Sequence, residues 1–151
     1  MMNNNIMIEK VENQMTDSLS ISVPSKPEYV SVVRLTASAV ASRVGFNVEE
    51  LEDIKVAVAE ACTNAIKHGI CEKGENFDVK FFLDKEKISI HVIDHGSGFS
   101  CNQLEEPDLT SPKEGGLGIF IIKSLMDEVD VISNMGEGTI IKMTKYLGED
   151  I

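Results

Sequence analysis

Two runs rich in β-branched and aromatic residues, "FDVKFFL" from Phe77 to Leu83 and "ISIHVID" from Ile88 to Asp94, flank the short charged stretch "DKEK". A parallel pair needs a crossover of about a dozen residues or more, so a link this short makes the two strands an antiparallel hairpin. A sheet begun this way has a face to bury, and the rest of the chain must supply the helices that cover it.

The helical periods stand on both sides of the hairpin. Before it, "SLSISV" (Ser18 to Val23) alternates Leu19, Ile21 and Val23 with serines, as a half-buried strand does, and Pro24 ends it. Ser25 and Glu28 have capping-box spacing and predict a helix to about Gly45, with Tyr29, Val30, Val33, Ala37, Val40, Ala41 and Val44 as its apolar stripe. Asn47 and Glu50 repeat the spacing for a second helix, whose core face is Leu51, Ile54, Val58, Ala61 and Ala65 and whose C-terminal stop is Gly69. After the hairpin, the segment from Phe99 to Glu114 is polar and interrupted by Pro107 and Pro112, which suits a lid. "GGLGIFIIKSLMDEV" then opens a third, apolar helix, followed by strands near Val129 to Ser133 and Thr139 to Tyr146. The order β-α-α-β-β-lid-α-β-β predicts an α/β two-layer sandwich, a mainly antiparallel mixed sheet with helices on one face.

Composition narrows the function. The chain has 151 residues and 42% apolar content, enough for one core, and we expect a single domain over 17–148 behind a loose polar tail at 1–16. A net charge of -11 argues against nucleic acid and anionic membranes as partners. Any anionic ligand must then be held by a metal ion, backbone N–H groups or a few placed cations. Cys62, Cys71 and Cys101 lack zinc-site spacing and read as reduced thiols. Without a signal-like start or a run of about 18 apolar residues, a cytoplasmic location is expected.

The second helix carries an oddity. Glu60, Asn64 and His68 follow one another at i, i+4 and i+8, in one arc with Asp53 and Lys67 and opposite Leu51, Val58 and Ala65. A solvated face is the ordinary explanation and places them outside the core. Yet asparagine is a poor helix former, and its amide oxygen is a hard neutral ligand suited to Mg²⁺. "DHGSGF" is first a turn, but Asp94 at a strand end could accept from an amine while Gly96 and Gly98 let a flat ligand approach. The glycines of "GGLG" would weaken a helix start unless its N–H groups cradle a phosphate, and the Walker pattern is absent. His91 and His95 read as surface groups and Cys62 as packing.

Together, E-x-x-x-N-A-x-x-H (Glu60 to His68), D-x-G-x-G (Asp94 to Gly98), G-G-x-G (Gly115 to Gly118) and G-T (Gly138, Thr139) resemble the conserved boxes of the GHKL ATPases. Within that superfamily the chain is most similar to the bacterial anti-sigma serine kinases RsbW and SpoIIAB, through "PEYVSVVRLTASAVASRVGF", "EDIKVAVAEACTNAIKHG", "EGGLGIFIIKSLMDEV" and "MTKYL". The resemblance implies the GHKL (Bergerat) fold, with ATP and Mg²⁺ as cofactors. By the same resemblance Asn64 would hold the metal, Glu60 would act as general base toward a serine hydroxyl, and Lys67 and His68 would lie toward the phosphates. Asp94 would recognise the adenine amine with Thr139 beside it, and Gly96 and Gly98 would border the base. Gly116, Leu117 and Gly118 would meet the phosphates. Relatives carry a lid arginine where this chain has Glu114, and Lys113 is the expected substitute.

The implied function is an anti-sigma factor that sequesters a sigma factor and phosphorylates a serine on an anti-anti-sigma antagonist, acting as a homodimer. Arg34 on the first helix would contact both partners. A nucleotide-dependent binding module without kinase activity is the alternative. A stand-alone histidine-kinase ATPase domain is a third, disfavoured because no phosphoacceptor-bearing helical segment is seen before the domain.

Overall fold

The computed structural model describes residues 17–68, 76–95, 114–134 and 137–148. The expected tail at 1–16, the stop at Gly69, Cys71, Gly96, Gly98, Cys101, the lid up to Lys113 and Lys113 itself lie outside the described residues. In chain order the elements are β1 (Asp17–Pro24), a 3-10 turn (Pro27–Tyr29), α1 (Val30–Val44), α2 (Val48–His68), β2 (Asn76–Leu83), β3 (Lys87–Asp94), α3 (Glu114–Leu125), β4 (Glu128–Asn134) and β5 (Gly138–Tyr146). The strands form one sheet in the order β1-β2-β3-β5-β4, and each neighbouring pair is antiparallel.

The hairpin closes as its sequence requires. Asp84 Oδ1 accepts from the N–H groups of Glu86 and Lys87 at 2.7 and 3.0 Å, which sets Leu83 opposite Ile88. The capping box before α2 is also formed: the Asn47 N–H donates to Glu50 Oε1 at 2.9 Å and the Glu50 N–H to Asn47 Oδ1 at 2.8 Å. At the end of α1, Gly45 takes φ 110°, the left-handed conformation that terminates a helix at low cost in glycine.

The start of α1 departs from expectation. Ser25 caps nothing; Lys26 is extended at φ -132° and ψ 137°, and a 3-10 turn precedes the α-helix at Val30. Pro27 is the cause, because a proline ring pushes the preceding residue out of the α region and so forbids a helix beginning at Lys26. Tyr29 therefore falls outside α1 and is 38% exposed.

α1, α2 and α3 lie side by side on one face of the sheet with α2 in the middle. Val33, Ala37, Val40 and Ala41 of α1 meet Ile54, Ala57, Val58, Ala61, Cys62 and Ala65 of α2 over Val79, Phe81, Ile88, Ile90, Val92, Ile141 and Met143 of the sheet. Cys62 is packing, as expected, and burial pushes its thiol up to about 12. Past α3, Lys145 Nζ donates to the Leu125 carbonyl at 2.7 Å, satisfying a helix-end acceptor and favouring the helix dipole.

On the other face Phe82, Ile93 and Ile140 form a second small cluster. His91 belongs with them: it is 1% exposed, and its ring is tilted against Phe82 with centroids 4.8 Å apart. This corrects the expectation that it is a surface group. Alternation along β3 assigned the face rightly, but says nothing of whether that face is wet. In register, His91 stands between Lys80 and Lys142. Burial first, then these two lysines, lower its pKa to about 3. His95 is exposed as expected, with its Nε2 against Asp78 Oδ2.

Candidate functional site

α2 carries small residues where it crosses the ends of the central strands, and this opens a recess. Ala61, Asn64 and Ala65 from the helix, Val92 and Asp94 from β3, and Thr139 and Ile141 from β5 line a small recess that opens to solvent. Strand alternation puts Val92 with Asp94, and Ile141 with Thr139, on the helix side. The register sets Asp94 directly opposite Thr139. The result is an apolar floor with a carboxylate, a hydroxyl and an amide around it, the composition of a pocket for a flat heteroaromatic ligand.

The three polar groups are well enclosed. Asp94 and Thr139 are each 4% exposed and Asn64 is 9% exposed. Asn64 is thus buried, where its helix arc had placed it outside the core. Because α1 and α3 flank α2 on both sides, an arc that would be solvated on a two-layer edge helix is enclosed on this central one.

Two glycines hold the recess in shape. Gly138 has φ +90°, and a Cβ there would stand 1.9 Å from the Asp94 carbonyl oxygen, so no other residue lets β5 close on β3 at this point. At Gly118 a Cβ would meet Glu60 Oε2 at 3.1 Å. The glycine therefore leaves the Glu60 carboxylate room against the early turns of α3. Glu60 lies one turn before Asn64, about 6 Å along the helix axis. Thr139 is tied from the edge of the sheet, its Oγ1 lying 2.9 Å from Ser133 Oγ.

Of the residues singled out from sequence, Asn64, Asp94 and Thr139 come together in the recess, and Glu60 and Gly118 meet beside it. Gly116 lies in the first turn of α3 and His68 ends α2, while Lys67 is exposed on the last turn of α2. Leu117 does not line the recess; its side chain is 55% exposed. Arg34 is exposed on α1, next to Leu35 at 69% exposure, and does not line the recess. Sequence reasoning missed Ser133, whose only signal was its place opposite Thr139 in a strand register not known beforehand.

The donor set fits a magnesium nucleotide better than a free metal centre. Among the described residues no group of three or more His, Cys, Asp or Glu could hold a metal ion. The Asn64 amide oxygen, in a recess that also holds the Asp94 carboxylate, suits an ion that keeps its waters and takes most of its ligands from phosphates. No helix of the described residues is long and apolar enough to cross a membrane.

Comparison with known proteins identifies the family. Residues 23–145 match the family model of the histidine kinase-like ATPase domain. The serine-protein kinase RsbW of Bacillus pumilus is 42% identical over 149 residues, covering 91% of each chain. That of Bacillus subtilis is 40% identical over 140 residues, covering 87% of this chain and 86% of the relative. Among solved structures, the RsbU and RsbW domains of a Mycobacterium tuberculosis protein align with a TM-score of 0.65 at 20% identity, over 86% of this chain and 32% of that one. The histidine kinase domain of a blue-light activated kinase from Erythrobacter litoralis aligns with a TM-score of 0.50 at 22% identity, over 81% of this chain and 60% of that one. These two likenesses show the fold. The chain belongs to the histidine kinase-like ATPase family and, within it, to the RsbW serine-protein kinases.

Proposed function

We propose that this chain, through one domain at 17–148, sequesters a sigma factor and phosphorylates a serine on that factor's anti-anti-sigma antagonist, using Mg·ATP. The enclosed Asp94, Thr139 and Asn64 in one recess, with Glu60 set against Gly118 beside it, carry the proposal.

Asp94 accepts from the adenine amine, with Thr139 completing the edge. Asn64 would hold Mg²⁺ through its amide oxygen, and the ion, when bound, neutralises phosphate charge. Gly116 and Gly118 let the backbone of α3 approach the phosphates, which a helix start attracts. Lys67, His68 and Lys113 are assigned to the phosphate side, and Gly96 and Gly98 to the base.

In the transfer step the serine oxygen bonds to the γ-phosphorus as the bond to the ADP oxygen breaks. Glu60 takes the hydroxyl proton, and the products are phosphoserine and ADP. Because such transition states are loose, an ordinary carboxylate held in position serves as base. Arg34 and the exposed Leu35 next to it on α1 form a contact surface shared by the two protein partners, so that they compete. The protein works as a cytoplasmic homodimer.

Glu60→Gln separates binding from chemistry. It should retain ADP and Mg·ATP affinity while phosphate transfer to the antagonist falls by about 10²-fold or more, the usual scale for losing a general base. Parental transfer rates in the variant would remove Glu60 from the mechanism.

A further inference from the structure

We infer that Ser133 on β4 is a positioning residue for base selection: it holds the Thr139 hydroxyl so that Thr139 donates into the recess beside the accepting Asp94 carboxylate. This rests on the nucleotide reading of the recess given above.

Ser133 and Thr139 are opposite each other in the β4–β5 ladder, and their side-chain oxygens are 2.9 Å apart. Thr139 in turn stands opposite Asp94 in the β3–β5 ladder. The three residues thus form one row across three strands, from the sheet edge into the recess. A threonine hydroxyl has one proton to place. Ser133 is half-buried at the sheet edge, where its O–H can turn to Thr139 Oγ1, and the Thr139 proton can then point to a ring nitrogen of a base in the recess. The favourable arrangement has the Ser133 O–H donating to Thr139 Oγ1, leaving the Thr139 proton directed inward.

The recess then presents an acceptor, Asp94, next to a donor, Thr139. Adenine offers the complement on its pairing edge, an amine donor beside a ring-nitrogen acceptor. Guanine offers the reverse, a carbonyl acceptor beside an N–H donor, and would meet each group with its own kind. Without Ser133 the Thr139 hydroxyl can rotate, accept from guanine and lose its fixed donation to adenine. Gly138, immediately before Thr139, keeps the row in register by allowing β5 to lie against the Asp94 carbonyl.

The test measures ADP and GDP dissociation constants by calorimetry for the parent, Ser133→Ala and Ser133→Thr, with no catalytic step involved. The parent should prefer ADP. Ser133→Ala should lose about three- to tenfold in ADP affinity, the scale of one hydrogen bond, with GDP affinity unchanged or improved. Ser133→Thr, which keeps the hydroxyl, should restore the parental ratio. A parental ADP-to-GDP ratio in Ser133→Ala, equal losses for both nucleotides, or failure of Ser133→Thr to rescue would each overturn the positioning role. Equal binding of ADP and GDP by the parent would overturn the underlying assignment of Asp94 as well, which tells the two failures apart.

Discussion

Asp94 shows how much a single residue's setting adds to its identity. A carboxylate 4% exposed over Val92 and Ile141 is costly to bury, and under the proposed function a donor on the adenine offsets part of that cost. Asp94→Asn replaces an acceptor-only group with one that can present its own donors to the adenine amine. ADP affinity should fall by about 1 to 3 kcal/mol, measured by calorimetry, whereas an unchanged affinity would put the base elsewhere. His91 makes a different prediction. Its folded pKa is lowered to about 3, below the ordinary 6.5, so between these values the unfolded chain binds a proton that the folded chain refuses. Stability is complete above about pH 6.5 and is lost as pH falls, by on the order of 1.4 kcal/mol per unit. Urea unfolding at pH 7 and pH 5 should show this slope in the parent and a shallower one in His91→Asn; identical slopes would exclude His91 as the source. The types Asn64, Asp94 and Thr139 were legible in sequence, but the burial of Asn64 and His91 was not. Periodicity gives a direction from the element's axis, and enclosure depends on what else packs there.

At the scale of elements, the local rules that held were those with nothing to compete against them. The Asn47–Glu50 box formed because no proline or tertiary contact opposed it, and the same spacing at Ser25–Glu28 failed because Pro27 constrains Lys26. Asn47→Ala should therefore cost about 1 kcal/mol in unfolding free energy by denaturant titration, with nucleotide affinity intact, and Ser25→Ala far less. A larger loss from Ser25→Ala than from Asn47→Ala would contradict the observed start of α1. Both β4 and β5 could be read from the sequence, but not the insertion of β5 between β3 and β4, since pairing beyond a hairpin is settled by long-range packing. That insertion brings Gly138 against the backbone of Asp94. With a Cβ 1.9 Å from the Asp94 oxygen, Gly138→Ala must shift β5 or Asp94, and should lower both melting temperature and ADP affinity; parental values of both would mean the close approach is dispensable.

Across the whole molecule, three helices shield one face of the sheet, the recess opens near the ends of the central strands, and Arg34 on α1 does not line it. Under the proposed function, substitutions on α1 and in the recess separate partner binding from nucleotide binding. Arg34→Ala should weaken complexes with both the sigma factor and the antagonist by about tenfold or more, as truncating an interface arginine commonly does. Its melting temperature and ADP affinity should stay parental, and full retention of both complexes would remove Arg34 from the shared surface.

The acceptor of the phosphate is a serine of another protein. The direct measurement is to incubate the chain with Mg·ATP labelled at the γ-phosphate and its cognate antagonist, then locate the label and test it in acid. The expected result is an acid-stable phosphoserine on the antagonist, formed by the parent and nearly absent with Glu60→Gln. Acid-labile label on this chain itself, or an antagonist left unlabelled while ATP is bound, would contradict it.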